Sequence, residues 1–198
     1  MKNFEELLKK YSSEYKNQNE IMKESNDFFT KNYLEKSKYS DFTLPFVPGM
    51  IYSFEYRTPS KISEKRKFIN RNPIFLFLNY IKTQEGENVL HGIDFSTVPL
   101  EIREIILTRI WNAFKDQIVK NSESSGGRSA IGLTPINMDS MLNKTGYRKS
   151  IFGFKYKYFY NIKEIKSEDW VKIPFLELNK FEGLNSFEIY KEYKSKLK

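Results

Sequence analysis

The beginning of the chain carries apolar side chains at helical spacing. One stripe of an amphipathic helix contains Phe4, Leu7, Leu8, Tyr11 and Tyr15. The sequence therefore predicts a helix over 3–16 and, after a polar interruption, a second helical segment over 20–36. Two arrangements fit this pattern: a helical hairpin, and an arm that docks on a neighbouring subunit.

The pattern changes to strand-like segments after 41–49, a connector that contains proline and glycine. Over 51–56, aromatic side chains occupy every second position, which predicts a strand with one aromatic face. The apolar run 74–81 predicts a central strand buried on both faces. Residues 89–95 predict a third strand, with a bulge or sharp bend at Gly92.

A wide apolar face predicts one long helix in the middle of the chain. The helix is predicted over 99–119, with Pro99 in its first turn and Thr97 as a nearby cap. Its apolar positions are Leu100, Ile102, Ile105, Ile106, Ile110, Trp111, Phe114 and Ile118. The segment 121–129, rich in serine and glycine, predicts a loop.

The last part of the chain alternates aromatic residues with lysines. Residues 152–165 predict one strand, and a single face of it carries Phe154, Tyr156, Tyr158 and Tyr160. A last strand is predicted over 171–178, at an edge of the sheet because Pro174 has no N–H to donate. A short helix is predicted over 186–198.

Together these elements predict an α+β fold. We expect a small, twisted, largely antiparallel sheet, in the form of an SH3-like barrel, with the helix 99–119 packed across it. The predicted organisation is an N-terminal helical arm over 1–40, an α+β core domain over 41–185 and a C-terminal helix over 186–198.

The positive charge of the chain is unevenly distributed. The formal net charge is +8, and residues 141–198 contribute +6 of it, with 13 basic and 7 acidic side chains. Residues 56–72 hold six basic side chains and one acidic side chain. This distribution has two interpretations: contact with nucleic acid or an acidic partner, and a lysine-rich solvated surface.

The candidate contact residues lie in these two basic regions. They are Arg57, Lys61, Lys65, Arg66, Lys67, Arg71, Arg148, Lys149, Lys155 and Lys157. Within 149–160, basic and aromatic residues alternate, a pattern typical of proteins that bind single-stranded nucleic acid. The alternative is an aromatic stripe that faces the core, with the lysines outside.

The sequence contains few residues suited to catalysis. It has no cysteine, and His91 is its single histidine, so a zinc site of the usual composition is not predicted. Asp94 is a conceivable partner for His91, but the two fall on opposite faces of the predicted strand. We therefore expect no metal, no cofactor and no enzymatic activity, and a structural or edge role for His91. No run of 18 apolar residues occurs, so no membrane partner is expected.

Residues 48–105 carry a series of motifs: a strand with Ile51, Tyr52, Phe54 and Tyr56, a basic loop, the run Pro73 to Phe77, the run Gly92 to Phe95, and a helix with Pro99 and Arg103. This order of motifs resembles a family of small tailed-bacteriophage virion proteins. The run Asp169 to Phe175 is similar to a later element of that family. This sequence departs from the pattern in Asn70, Arg71 and Asn72 before Pro73, and in a shorter spacing from Trp170 to Pro174.

A second resemblance covers a shorter stretch. Residues 49–54 and 71–76 resemble the SH3-like barrel of MazF-type toxin endoribonucleases. This resemblance implies RNA cleavage, with Arg57, Arg71 and His91 as the candidate residues. The match stops near residue 80, and the chain is much longer than such toxins.

The function that we predict from the sequence is a structural or assembly component of a tailed-bacteriophage virion, in the tail, baseplate or neck. The phage resemblance implies synthesis in the host cytoplasm and incorporation into the virion as part of a hetero-oligomeric assembly. Its partners would be other virion proteins, with basic loops that touch DNA or acidic surfaces. The alternatives are a DNA-binding protein that protects or packages phage genome ends, and a MazF-like endoribonuclease.

Overall fold

The computed structural model describes residues 3–34, 46–57, 72–123 and 151–177, with side chains up to residue 113 in the third of these ranges. Several predictions lie outside the described residues. They are the basic residues Lys61, Lys65, Arg66, Lys67, Arg71, Arg148 and Lys149, most of the loop 121–129, and the helix 186–198.

The described residues form a mixed helix and sheet structure, which confirms the α+β prediction. The strands are β1 (Ile51–Tyr56), β2 (Ile74–Lys82), β3 (Asn88–Asp94), β4 (Ile151–Lys155) and β5 (Phe159–Glu164). They form one antiparallel sheet in the order β4-β3-β2-β1-β5. The predicted central position of β2 is therefore confirmed, although its second half is exposed on both faces.

The sheet is strongly curled. β4 and β5 are its two edges, yet only the 3₁₀ turn Tyr156–Tyr158 joins them. Four strand spacings would separate these edges by about 19 Å in a flat sheet, whereas the chain from Lys155 to Phe159 spans at most about 14 Å. Curling brings the edges together. No pairing joins β4 to β5 among the described residues, so the sheet is open and the expected SH3-like barrel is not confirmed.

The single strand predicted over 152–165 is wrong, because the chain turns at 156–158. The turn lets one segment send phenyl rings to Phe54 from both edges of the sheet. The ring centroid of Phe54 lies 5.3 Å from that of Phe154 on β4 and 4.1 Å from that of Phe159 on β5. Consequently the four aromatic residues do not share one face: Phe154 is buried, whereas Tyr160 is 44% exposed.

The two faces of the curled sheet bury two different apolar clusters. The concave face holds the inner cluster: Phe46, Tyr52, Phe54, Tyr56, Phe75, Phe77, Leu90 and Phe154. The other face holds the outer cluster, whose buried members include Phe4, Phe29, Tyr33, Ile51, Leu76, Ile93, Phe95, Ile106, Leu107, Ile110, Trp111, Ile165, Trp170 and Ile173. The predicted aromatic face of β1 is confirmed, since all three of its aromatic residues lie in the inner cluster.

Two N-terminal helices cover the outer cluster. They are α1 (Phe4–Ser13) and α2 (Gln18–Phe29), and a π-helical turn, Thr30–Leu34, extends α2. The side chain of Asn17 caps α2 by accepting a hydrogen bond from the Glu20 backbone N–H at 3.0 Å. Phe4 and Phe29 are at most 1% exposed. The two helices therefore contribute side chains to the outer cluster.

The long helix α3 spans Leu100–Glu123, four residues beyond the predicted end. Pro99 precedes its first turn, and the Pro99 carbonyl accepts the Arg103 backbone N–H at 2.9 Å. The expected cap by Thr97 is wrong: its hydroxyl donates to the Asp94 carbonyl at 2.8 Å. Thr97 instead closes a short 3₁₀ turn, Phe95–Thr97, which links β3 to α3.

The strand predicted over 171–178 is also wrong, because Ser167–Phe175 forms a 3₁₀ helix. Two buried side chains hold it in place. The Trp170 indole donates to the Ile165 carbonyl at 3.1 Å. The Arg103 guanidinium donates to the Val98 carbonyl and to three carbonyls at the end of this segment, those of Ile173 (3.2 Å), Pro174 (3.1 Å) and Leu176 (2.5 Å). These contacts satisfy carbonyl groups that a sheet partner would bind in a strand.

The irregularity expected at Gly92 occurs, but the extra residue lies on the opposite strand. Gly92 pairs with Phe77 and His91 pairs with Asn79, so Leu78 of β2 is the bulged residue. Gly92 itself meets a need for space. A Cβ atom there would lie 2.1 Å from the Leu76 carbonyl oxygen and 2.5 Å from the Phe75 ring.

Candidate interaction surface

Three of the predicted contact residues meet at one end of the sheet. Arg57 follows β1, and its backbone N–H donates to the Tyr158 carbonyl at 2.9 Å. Lys155 ends β4, and its backbone N–H donates to the Tyr56 hydroxyl at 3.2 Å. Lys157 lies in the intervening 3₁₀ turn, Tyr156–Tyr158, which we call the tyrosine turn. The curl of the sheet thus gathers residues that are far apart in the sequence.

The Arg57 side chain is held by a carboxylate and by an aromatic ring. Its Nε and Nη2 atoms each donate to one oxygen of Glu55 at 2.7 Å, a bidentate ion pair. This carboxylate raises the pKa of the Arg57 guanidinium through those hydrogen bonds. The guanidinium also lies 4.6 Å from the centroid of the Tyr160 ring. Arg57 is therefore fixed in one orientation against an exposed ring.

Lys155 and Lys157 share a single carboxylate. Each ammonium group donates to a different oxygen of Glu87, which follows the turn between β2 and β3. These hydrogen bonds lower the pKa of the Glu87 carboxyl, and the bond to Glu87 raises the pKa of Lys157. The Lys157 ammonium also lies 5.3 Å from the centroid of the Tyr158 ring. Lys155 and Lys157 are thus both paired with Glu87.

A bulge in β5 supports this arrangement. The register between β1 and β5 shifts between Ser53 and Glu55, where two residues of β5 oppose one residue of β1. Asn161 lies at this point with φ 50, a left-handed conformation that asparagine tolerates. Its side-chain amide donates to Glu55 Oε2 at 3.0 Å. Glu55 therefore connects the bulge to Arg57.

The surface carries three cations and two carboxylates, and its described charge is therefore close to balanced. The cations are the more exposed members: the Arg57 and Lys157 side chains are 48% and 53% exposed, against 24% for Glu55 and Glu87. The exposed ring of Tyr160 lies beside Arg57, and the half-buried ring of Tyr158 lies beside Lys157. This surface can make aromatic and polar contacts without losing its ion pairs, whereas a phosphate must compete with the carboxylates.

Neither carboxylate was predicted from the sequence. Glu55 carried a signal, because residues two apart on a strand share a face and Glu55 is two residues from Arg57. Glu87 carried none, because it is 68 residues from Lys155 along the chain. Only the antiparallel pairing of β3 with β4 brings them together.

His91 does not lie at an edge. It belongs to β3, an interior strand, where it pairs with Asn79 on β2 and Gly153 on β4. Asp94 is 1% exposed, and its carboxylate accepts hydrogen bonds from the backbone N–H and hydroxyl of Ser96 at 3.1 and 2.8 Å. The carboxylate therefore shapes the turn that leads into α3.

A groove lies between α1 and α3, with a volume of about 530 Å³. Its charged lining residues are Glu5, Lys9, Glu104 and Arg109. Burial, together with the nearby carboxylates of Glu101 and Glu5, raises the pKa of Glu104. The mixed charges of this groove define no particular ligand chemistry.

In the described part of the chain, no three His, Cys, Asp or Glu side chains are grouped so that they could hold a metal ion. None of the helices described is both long enough and apolar enough to cross a membrane.

Comparisons of the chain with known protein families, with curated proteins and with solved structures find no match. The resemblances to phage virion proteins and to MazF-type toxins therefore stay predictions. The tyrosine turn and the ion pairs of Arg57, Lys155 and Lys157 together form the candidate interaction surface.

Proposed function

We propose that this protein is a structural or assembly component of a tailed-bacteriophage virion and acts through contacts with other virion proteins. The motif order over 48–105 supports the class of protein. One observation supports the mode of action: each described candidate cation is already bound by a carboxylate, while the ring of Tyr160 beside Arg57 is exposed to solvent. Aromatic side chains and arginine are enriched at protein interfaces.

The energetics of the ion pairs favour a protein partner over a polyanion. A protein surface can pack on Tyr158 and Tyr160 and leave the bidentate pair of Arg57 intact. A phosphate must first displace Glu55 or Glu87 and then tolerate the displaced carboxylate nearby. Like charges at such distances repel, so the gain from phosphate contact is reduced.

The packing of the N-terminal helices makes their apolar face a poor candidate for the assembly contact. The apolar stripe of α1 faces the outer cluster, as the burial of Phe4 and Leu8 shows. A stripe that is already buried offers little to a neighbouring subunit. We therefore place the assembly contact at the tyrosine turn rather than on an N-terminal arm.

A DNA-binding protein that protects or packages genome ends is the second candidate. The observation in its favour is that the basic segment of the sequence continues directly from Arg57, at the tyrosine turn. A protein of this kind would bind DNA with an affinity that falls steeply with salt. The virion proposal predicts weak DNA binding.

The experiment that tests the proposal is mass spectrometry of purified particles of the phage that carries the gene, with determination of copy number. Detection at a few to a dozen copies, in fractions that contain tails, supports a tail or baseplate component. Recovery with DNA-filled heads instead favours the role at genome ends. Absence from the particles contradicts the virion proposal, and an RNA-cleavage assay then tests the MazF-like alternative.

A further inference from the structure

We propose that Glu55 and Glu87 suppress nucleic-acid binding at the tyrosine turn, because they occupy the three cations that would otherwise bind phosphate. This inference concerns the same surface as the proposed function and rests on the proposed function in that respect alone. It assigns to two carboxylates a role in partner selection: they keep the surface available to protein and closed to polyanions. Selection of this kind works by penalising the wrong partner.

The geometry of the pairs makes the carboxylates effective competitors. Glu55 uses both oxygens on Arg57, and Glu87 uses one oxygen on each of Lys155 and Lys157. Both acids are held in place by the fold, so they compete at the high effective concentration of an intramolecular ligand. Phosphate from solution must overcome this advantage at each cation.

The surroundings of the cations indicate what would bind if the carboxylates were absent. Arg57 lies on the ring of Tyr160, and Lys157 lies beside the ring of Tyr158. Proteins that bind single strands combine a cation for the phosphate with an aromatic ring for the base. The latent ligand of this surface is therefore a single-stranded nucleic acid.

The test is to neutralise the carboxylates while keeping their shape. The full chain with Glu55→Gln and Glu87→Gln is compared with the unchanged protein for binding of a labelled oligothymidylate, by fluorescence anisotropy over a range of salt concentrations. We expect the variant to bind about tenfold more tightly. We also expect the slope of log K against the logarithm of the salt concentration to become more negative by about 2. Three cations become available, and each contributes about 0.7 to this slope on single strands.

A matched control separates local release of cations from a change in net charge. Glu6→Gln with Glu24→Gln alters the net charge equally, and these exposed residues lie on α1 and α2. The control variant is expected to bind no more than about twofold more tightly. An equal gain in both variants, or no gain from the changes at Glu55 and Glu87, overturns the inference.

The single variant Glu87→Gln keeps the test valid if the double variant folds poorly. Glu55 also accepts a hydrogen bond from Asn161 at the β5 bulge, whereas Glu87→Gln leaves that bond untouched. It releases two of the three cations, and so an intermediate gain is expected. The assay uses purified protein, so its failure leaves the virion proposal standing, and absence from particles leaves this inference standing.

Discussion

The inner and outer clusters differ in the side chains that build them. Among the described residues, the buried members of the inner cluster are phenylalanine and tyrosine apart from Leu90, and strands supply most of them. The outer cluster mixes aliphatic and aromatic residues from both N-terminal helices, from strands β1, β2 and β3, from α3 and from the segment after β5. It also adjoins buried polar groups, chiefly Arg103 and Asp169.

The difference shows how two kinds of information specify this fold. Alternating aromatic residues close the inner cluster through ring contacts such as that of Phe54 with Phe159 at 4.1 Å. The outer cluster joins segments that share no periodicity, and hydrogen bonds set their positions. Asp169 illustrates this: it accepts from the Tyr33 hydroxyl at 2.6 Å and from the Lys172 ammonium at 2.8 Å.

Removing a large ring from either cluster has the largest expected effect. Phe54→Ala in the inner cluster and Trp170→Ala in the outer cluster should each lower the free energy of unfolding by about 3–5 kcal/mol, because both side chains are at most 1% exposed. Chemical denaturation measures the loss. Hydrogen exchange distinguishes the clusters: Phe54→Ala should loosen β4 and β5, and Trp170→Ala should loosen Ser167–Phe175. Equal loosening of both regions by each variant would contradict two separable clusters.

The same difference explains which parts of the structure the sequence could predict. Both ends of β1 and its aromatic face were predicted correctly, because alternation is local. The turn at 156–158 was missed, because Tyr156 and Tyr158 continue the alternation through a point where the chain leaves one edge for the other. The segment 171–178 was assigned to a strand, because nothing local indicates that Arg103 would bind the carbonyls of Ile173, Pro174 and Leu176.

The candidate site was predicted in part for the same reason. Arg57, Lys155 and Lys157 were identified by residue type, and the fold brings them together. Their neutralisation by Glu87 was not predictable, since it depends on the register of β3 with β4. Charge counted along a sequence gives the number of cations, whereas their availability depends on partners supplied by the fold.

Loss of the buried guanidinium should be the next largest effect. Arg103→Met keeps much of the side-chain volume but leaves the carbonyls of Ile173, Pro174 and Leu176 without this donor. We expect destabilisation of about 2–4 kcal/mol in chemical denaturation. Arg109→Met is the matched control, because Arg109 is an exposed residue of the same helix, and it should change stability by less than about 0.5 kcal/mol. Similar losses for both variants would refute the anchoring role of Arg103.

Removal of one tyrosine hydroxyl from each cluster compares the hydrogen bonds of the two clusters. Tyr33→Phe removes the donor to the Asp169 carboxylate in the outer cluster, at an expected cost of about 2 kcal/mol, because the bond involves a charged group. Tyr52→Phe in the inner cluster removes only the acceptor for the Val47 N–H, bound at 2.9 Å, at an expected cost of about 1 kcal/mol. Thermal unfolding of both variants checks the order. A larger loss from Tyr52→Phe would show that hydrogen bonding matters more in the inner cluster.

The smallest single effect, that of Asn161→Gly, is expected at the β5 bulge, where the inner cluster reaches the tyrosine turn. Asn161 has φ 50, so Asn161→Val places a β-branched residue in a left-handed conformation and should cost about 1–2 kcal/mol. Asn161→Gly relieves the backbone but loses the hydrogen bond to Glu55, and so should lie within about 0.5 kcal/mol of the unchanged protein. Thermal unfolding measures both values. Equal stability of the two variants would show that the left-handed conformation does not constrain this edge. Because the bulge positions Glu55, Asn161→Val should also weaken the ion pair between Glu55 and Arg57. Binding of the oligothymidylate should then rise slightly.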